Sequence, residues 1–253
     1  MTRHGPQLAL PDSILACLFD LDGVLTQTAV VHAAAWKQMF DEYLLARAAR
    51  TGKPFVAFDA TADYNQFVDG RPRAEGTRAF LASRGVDLPD GQQDDTPGTE
   101  TIHGLSNRKN LLVLARIRER GVQTYPGSVR FVRATKRAGL RRAVVSSSKN
   151  TRDVLEAAGI TDLFEVRIDG IVAERHQLAG KPAPDTYLAA AQALGVLPER
   201  AAVFEDALAG VEAGHAGGFG LVVGVDRVGQ ATELRHHGAD LVVPDLASLL
   251  GQK

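Results

Sequence analysis

Short, nearly unbroken apolar runs alternate with helical stretches through most of the second half of the chain. Three predicted helices, at 128–138, 151–158 and 184–194, each stop immediately before a glycine, the residue that most often follows a helix C-terminus. Apolar runs without polar alternation are typical of parallel strands that helices cover on both faces. Predicted strands lie at residues 15–19, 143–146, 166–168, 202–204, 221–225 and 241–243. The pattern therefore predicts an α/β fold with a Rossmann-like, mostly parallel six-stranded sheet.

Residues 29–121 do not follow this alternation. The stretch opens with a predicted helix at 30–49 and closes with another at 107–120, and no strand is predicted between them. We therefore expect a discontinuous core domain of residues 1–28 and 122–253, and an inserted helical domain of residues 29–121. The pattern assigns no role to residues 50–69.

Two carboxylates follow the first predicted strand directly. The apolar run 14–19 leads into Asp20 and Asp22, and Gly23 allows the backbone to turn sharply. Because an isolated ionised carboxylate is very costly to bury, this pair indicates a cation site or phosphate chemistry. An exposed Asp-Gly turn is the alternative. A calcium-binding EF-hand loop is excluded, because Val31 occupies the position where that motif carries its glutamate.

Other polar groups follow later strands or precede a helix. Ser146 and its neighbours end one strand, Lys181 lies in a proline-stiffened loop (GKPAPD), and Glu205 with Asp206 ends another strand. Each motif is weak by itself, since serine runs and lone lysines are usually solvated. In open α/β sheets, however, ligands bind at the carboxyl ends of the strands. The chain carries, in order, an acid pair, a hydroxyl, a lysine and a second acid pair. We therefore predict that these side chains meet in one site.

This set and order of motifs closely resembles the haloacid dehalogenase superfamily of phosphotransferases. The resemblance implies that Asp20 is the nucleophile that accepts the phosphoryl group and that Asp22 is the general acid/base. It further implies that Ser146 and Lys181 bind the transferring phosphoryl group. Dehalogenases of the superfamily lack the second aspartate, so Asp22 favours phosphate chemistry. The inserted domain resembles the helical cap of this superfamily, a lid that excludes water from the reaction.

The resemblance also implies a Mg²⁺ cofactor, one ion in each active site. Its expected ligands are Asp20, the backbone carbonyl of Asp22, Glu205 and Asp206. Hard cations of this kind take oxygen ligands, so the residue types agree with the implied cofactor.

Cap residues narrow the resemblance to the β-phosphoglucomutase group. His32 matches a histidine that couples cap closure to the acid/base, and Lys109 matches a lysine at the sugar. Arg73 matches an arginine at the second phosphate, although Arg71 could take the same part. The remaining expected substrate-binding residues form the string Ser147, Ser148, Lys149 and Asn150.

Membership of this group implies interconversion of β-glucose 1-phosphate and glucose 6-phosphate. The reaction would pass through an aspartyl-phosphate, with glucose 1,6-bisphosphate as the phosphorylating activator. Two alternatives stay open: a Mg²⁺-dependent sugar-phosphate phosphatase, and a non-catalytic sensor of phosphosugars. A sensor has no need of both Asp20 and Asp22.

Composition changes this interpretation little. The 29 basic and 30 acidic residues give a net charge of −1, so no nucleic-acid partner is expected. The resemblance implies a small hexose phosphate as the partner. No apolar run approaches the roughly 18 residues of a membrane-spanning helix, and we expect a cytoplasmic monomer. Cys17, the single cysteine, is interpreted as core filling. Arg141 and Arg142 are expected to be solvated at a strand entrance.

Overall fold

The computed structural model describes residues 8–251, apart from the side chain of Arg120. Residues 1–7 and 252–253, which the sequence analysis assigned to the core domain, lie outside this range. The chain divides into two compact units. The cap unit is Thr28–Gly121, and the core unit comprises the described residues up to Gln27 together with those from Val122 onward.

The core unit is built on a parallel sheet, which confirms the predicted fold class. In residues 8–251 the sheet has six strands: β1 Ala16–Phe19, β2 Arg141–Val145, β3 Val166–Ile168, β4 Ala201–Glu205, β5 Leu221–Val225 and β6 Leu241–Val243. Their order across the sheet is β3-β2-β1-β4-β5-β6, and every neighbouring pair is parallel.

The register of the central strands places their carboxyl ends side by side. Phe19 at the end of β1 pairs with Val144 of β2 on one side and with Phe204 of β4 on the other. The rings of Phe19 and Phe204 stack with centroids 4.7 Å apart. Since β1, β2 and β4 end at the same level, the polar residues that follow them meet at one edge of the sheet.

Helices of the core unit cover the sheet. In the helix Asp185–Leu194, Tyr187, Ala191 and Leu194 are buried on one face, as the i, i+4, i+7 spacing predicts. Gly195 ends this helix in a left-handed conformation with φ of 67°. The helices are α4 Pro126–Arg137, α5 Thr151–Ala157, α6 Gly170–Arg175, α7 Asp185–Leu194, α8 Leu208–Ala216 and α9 Ala231–His236.

The cap unit is helical. It contains α1 Thr28–Thr51, a π-helical turn Tyr64–Val68, α2 Arg73–Ser83 and α3 Ile102–Arg120. The backbone of this unit is described throughout and contains no strand, in agreement with the prediction. The helix α2 was not predicted, because Gly76 and the charged residues around it obscure the apolar periodicity.

Residues 50–69, to which the sequence assigned no role, help to form the cap core. Phe58 is 1% exposed. Its ring lies 5.2 Å from Phe40 of α1 and 4.9 Å from Phe80 of α2. Asp41 accepts a hydrogen bond from the Phe58 amide at 2.7 Å. The segment therefore carries an aromatic ring into the space between two helices.

Arg142 corrects one sequence expectation. The residue is buried, not solvated, and its guanidinium donates hydrogen bonds to the carbonyl oxygens of Leu140 and Leu163. It also pairs with Glu165 at 2.9 Å. Leu163 and Glu165 come from a segment that the sequence pattern does not bring next to Arg142, and together with Leu140 they make burial of the charge tolerable.

Among residues 8–251, no helix combines the length and apolar character needed to cross a bilayer.

Candidate active site

Lys181 and Asp20 form a buried ion pair at the end of β1. Nζ of Lys181 lies 2.5 Å from Oδ1 of Asp20 and 3.4 Å from the carbonyl oxygen of Val145. Asp20 is 6% exposed and Lys181 is fully buried. The loop GKPAPD thus delivers its lysine to the strand end where the sequence predicts the nucleophile.

Glu205 shares this ammonium. Lys181 donates to Oε1 of Glu205, and the hydroxyl of Tyr187 donates to the same oxygen at 2.9 Å. The amide of Ala207 donates to Oε2 at 3.1 Å. A Cβ at Gly210 would lie 1.8 Å from Oε1, so only glycine leaves room for this carboxylate. Sequence reasoning missed Tyr187, which it used only as an apolar position of α7.

Electrostatics in this cluster favour additional positive charge. Burial raises the pKa of Asp20 well above its ordinary value; the Lys181 ammonium opposes this, while the Glu205 and Asp22 carboxylates reinforce it. Burial by itself would lower the pKa of Lys181, but Asp20 and Glu205 hold it above its ordinary value. Lys181 is therefore an ammonium at neutral pH, and it does not balance the acids around it.

Three acids offer ligand atoms for a cation. One oxygen from each of Asp20, Glu205 and Asp206 lies within 4.8 Å of the other two. All three side chains are buried, and all the donors are carboxylate oxygens, the type that Mg²⁺ prefers. A Cβ at Gly23 would lie 1.7 Å from Oδ2 of Asp206, so glycine is required where the two loops approach. The donor set fits a hard divalent cation.

Asp22 lies in a tight loop after β1. Gly23 adopts φ of 91°, and its amide donates to the carbonyl oxygen of Thr26 at 2.8 Å. The amide and the hydroxyl of Thr26 both donate to the carbonyl oxygen of Leu21, at 2.9 and 3.1 Å. Asp22 itself is partly exposed, unlike the buried Asp20. The two aspartates therefore occupy different environments, which agrees with different chemical roles.

The serine string after β2 forms an ordered turn. Oγ of Ser146 accepts from the amide of Ser148, and Oγ of Ser148 accepts from the amide of Asn150, both at 3.1 Å. The carbonyl oxygen of Ser148 accepts from the amide of Gly170. A Cβ at Gly170 would lie 2.8 Å from the carbonyl oxygen of Ser147. Lys149 pairs with Glu174 at 2.7 Å near the protein surface.

Two further predicted residues, His32 and Lys109, belong to the cap unit. Nδ1 of His32 lies 2.9 Å from Nζ of Lys109. The same ammonium lies 4.6 Å from the centre of the Trp36 ring, within cation–π range. Trp36 is buried and stacks on Phe40 at 5.2 Å. His32 and Lys109, which are far apart in sequence, therefore form one polar pair.

Arg73 and Arg71 differ in their surroundings. Arg73 is the first residue of α2, and burial lowers its pKa. Within the described part of the chain, Arg73 forms no ion pair. Burial raises the pKa of Glu75, and the charge of Arg71 opposes this shift. Arg71 thus lies near a carboxylate, whereas no carboxylate of residues 8–251 pairs with Arg73.

Comparisons with known proteins agree with this geometry. A profile of the haloacid dehalogenase-like hydrolases matches residues 14–218.

The chain is 55% identical over 246 residues to a β-phosphoglucomutase of Mycobacterium bovis, covering 96% of this chain and 94% of the relative. It is 30% identical over 234 residues to the β-phosphoglucomutase of Bacillus subtilis, covering 92% and 91%. A crystal structure of the Clostridium difficile β-phosphoglucomutase superposes with a TM-score of 0.71 at 27% identity, covering 93% of each chain. The chain belongs to the haloacid dehalogenase-like hydrolases, and within them to the β-phosphoglucomutase group.

Proposed function

We propose that this enzyme interconverts β-glucose 1-phosphate and glucose 6-phosphate. The observation that carries the proposal is the buried pair of Asp20 and Lys181 beside Glu205 and Asp206, in a chain 55% identical to a protein named β-phosphoglucomutase. Splitting the transfer through an enzyme-bound phosphoryl group replaces one difficult step by two easier ones.

Asp20 is the proposed nucleophile. A carboxylate oxygen of Asp20 forms a bond to phosphorus as the bond from phosphorus to the sugar oxygen of glucose 1,6-bisphosphate breaks. The product sugar phosphate leaves, and the aspartyl-phosphate is then attacked by a hydroxyl of the next sugar phosphate. Lys181 holds Oδ1 in place, which fixes the direction of the carboxylate before attack.

Asp22 is the proposed general acid/base. It gives a proton to the sugar oxygen as that oxygen leaves phosphorus, and takes a proton from the attacking hydroxyl in the second step. Its partial exposure, greater than that of the buried Asp20, lets it exchange protons with solvent between the two steps.

The residues that would hold Mg²⁺ are Asp20, the backbone carbonyl of Asp22, Glu205 and Asp206. When bound, the cation reduces the repulsion between the attacking carboxylate and the phosphate dianion. Oε1 of Glu205 already accepts from Lys181 and Tyr187, so Oε2 is the oxygen of Glu205 better suited to a ligand role.

Binding of the two phosphates is assigned to different residues. Ser146 and Lys181 are proposed to bind the transferring phosphoryl group. The candidates for the distal phosphate are Arg73 in the cap unit and, separately, the string Ser147, Ser148, Lys149 and Asn150 in the core unit. For Lys149, the phosphate would compete with the exposed partner Glu174. Arginine suits this task because its guanidinium matches phosphate oxygens in a bidentate manner.

His32 and Lys109 are proposed to bind the sugar. Through this binding, transfer of the phosphoryl group from Asp20 would occur only when a sugar phosphate is present. A mutase must keep water from the aspartyl-phosphate and still admit a sugar hydroxyl. Substrate binding energy can achieve this discrimination by driving closure around the reacting groups. The hydrogen-bonded pair of His32 and Lys109 gives the cap unit a polar group that a sugar can engage.

A sugar-phosphate phosphatase is the second candidate, since the same acids would serve if water took the phosphoryl group. Monomeric state and cytoplasmic location stay predictions.

A substrate screen tests the proposal. Hexose 1-phosphates of both anomers are incubated with Mg²⁺ and a trace of glucose 1,6-bisphosphate, and both isomerised product and free phosphate are measured. We expect β-glucose 1-phosphate to give glucose 6-phosphate much faster than phosphate, and the α anomer to react poorly. Phosphate release that matches or exceeds isomerisation for every sugar would establish the phosphatase instead.

A further inference from the structure

Arg227, in the loop after β5, contacts the turn that follows Asp22. Its Nε donates to the carbonyl oxygen of Gly23 at 2.8 Å, and its Nη2 donates to that of Val24 at 3.3 Å. Arg227 is more than 200 residues from this turn in sequence. Sequence reasoning gave it no role, because nothing in the local pattern connects it to the first motif.

The guanidinium of Arg227 is fixed from every side. Nη1 donates to the carbonyl oxygen of Pro244 at 3.0 Å and pairs with Asp245 at 3.1 Å. Nη2 also donates to Oγ of Ser128 at 3.1 Å. Its central carbon lies 3.6 Å from the centre of the Tyr125 ring. All five N–H donors of an arginine therefore have acceptors, and the side chain is 13% exposed.

The loop that carries Arg227 is stabilised by its own hydrogen bonds, and it also contacts the backbone of Asp206. Oδ1 of Asp226 accepts from the amides of Gly229 and Gln230, at 2.7 and 2.9 Å. The side-chain amide of Gln230 donates to the carbonyl oxygen of Asp206 at 2.9 Å. One loop thus holds the backbone beside Asp22 and the backbone of Asp206.

We propose that Arg227 is a positioning residue for the acid/base Asp22, an inference that rests on the proposed function. Gly23 follows Asp22 directly, so holding the carbonyl oxygens of Gly23 and Val24 fixes the backbone from which the Asp22 carboxylate projects. Proton transfer requires hydrogen-bond reach to the sugar oxygen, and a small displacement of the acid reduces it. A lysine cannot reproduce the contacts, because it lacks the planar fork of donors.

Comparison of two reaction rates distinguishes a role of Arg227 in positioning Asp22 from a role in general stability. Phosphorylation of Asp20 by acetyl phosphate needs little proton assistance, because acetate is a good leaving group, whereas isomerisation of β-glucose 1-phosphate needs Asp22. For Arg227→Met we expect kcat for isomerisation to fall by about 10- to 100-fold. General acid–base catalysis contributes a rate factor of about 10²–10⁴, and a misplaced Asp22 would lose part of it. The rate of labelling by acetyl phosphate and the KM for β-glucose 1-phosphate should change little.

Arg142→Met is the matched control. Arg142 is also a buried arginine of the core unit that donates to backbone carbonyls, but it contacts Leu140 and Leu163, not the turn after Asp22. This variant should lose thermal stability and keep the wild-type ratio of the two rates. Arg227→Lys, which keeps the charge and part of the hydrogen bonding, should recover part of the lost isomerisation.

Equal loss of both rates in Arg227→Met, or unchanged isomerisation, would overturn the inference. If Arg227→Met does not fold, Arg227→Lys is compared with Arg142→Lys by the same ratio. If the wild type releases phosphate but does not isomerise, the proposed function fails while the inference is still testable. Hydrolysis of glucose 6-phosphate then replaces isomerisation, because its sugar oxygen also needs a proton from Asp22.

Discussion

Lys181 and Asp20 are joined by a hydrogen bond of 2.5 Å in the interior of the core unit. A surface ion pair of this kind would contribute little, but this one is shielded from water. Its ammonium is shared with Glu205, so one positive charge faces several carboxylates. The arrangement orients the Asp20 carboxylate, and the excess of negative charge favours binding of a cation.

Asp20→Asn should abolish turnover while the fold persists. The amide removes the attacking charge at nearly constant volume, and we expect a loss of about 10⁴-fold or more, as for removal of other catalytic nucleophiles. Burial raises the pKa of Asp20 in the folded state. At a pH above the ordinary pKa of an aspartate, the ionised Asp20 therefore lowers the free energy of unfolding. The melting temperature of the variant in EDTA at neutral pH should therefore be no lower than that of wild type.

Asp162→Asn, the same change at an exposed site, is the control for this experiment. It should leave turnover unaltered. Asp20→Asn turnover above a few per cent of the control would exclude the covalent role of Asp20.

Removal of divalent metal should stop the reaction and lower stability. We expect EDTA to abolish turnover and Mg²⁺ to restore it. Because a ligand that binds only the folded state stabilises it, Mg²⁺ should raise the melting temperature of the wild type. Asp206→Asn should show a much smaller Mg²⁺-dependent rise. Full activity in EDTA, or a melting temperature insensitive to Mg²⁺, would contradict the metal site.

Replacement of Arg73 and Arg71 separately should decide which arginine binds the distal phosphate. Arg73→Ala should weaken binding of glucose 1,6-bisphosphate by about 10- to 100-fold, since hydrogen bonds to charged groups are worth about 1.5–3 kcal/mol. Arg71→Ala should have little effect, because the charge of Arg71 acts on Glu75. Titration calorimetry with each variant measures the affinities. The opposite ranking would assign the phosphate to Arg71.

Phe58→Ala should destabilise the cap unit. Deleting a buried phenylalanine removes about 3–5 kcal/mol of unfolding free energy, and Phe58 is 1% exposed between Phe40 and Phe80. Phe55→Ala is the control, because Phe55 is 41% exposed and lies in the same segment. Fluorescence of Trp36, the single tryptophan, reports unfolding of the cap unit in urea. Equal midpoints for the two variants would mean that Phe58 does not support the cap core.

The strands and the acids at their ends could be predicted from sequence because both follow local rules. An apolar run such as 14–19 has only one plausible place in an α/β fold, and parallel pairing brings the residues after it to one edge. Asp20, Lys181 and Glu205 therefore met as expected, although they come from distant segments.

The residues that hold these acids could not be predicted in the same way. Tyr187 has the apolar spacing of a helix face, and that spacing does not reveal that its hydroxyl reaches Glu205. The guanidinium of Arg227 donates to acceptors from three other segments of the chain, which contain Gly23, Ser128 and Pro244. Phe58 lies in a stretch without periodicity. Such contacts depend on tertiary packing, which has no short-range signature.

Partition of the phosphoenzyme tests the central claim most directly. The wild-type protein is labelled at Asp20 with radioactive acetyl phosphate in Mg²⁺, freed of donor, and mixed with either buffer or β-glucose 1-phosphate. Our account predicts that the label is stable in buffer and passes rapidly to glucose 1,6-bisphosphate when the sugar phosphate is present. Release of the label as inorganic phosphate, at the same rate with and without the sugar phosphate, would contradict the account.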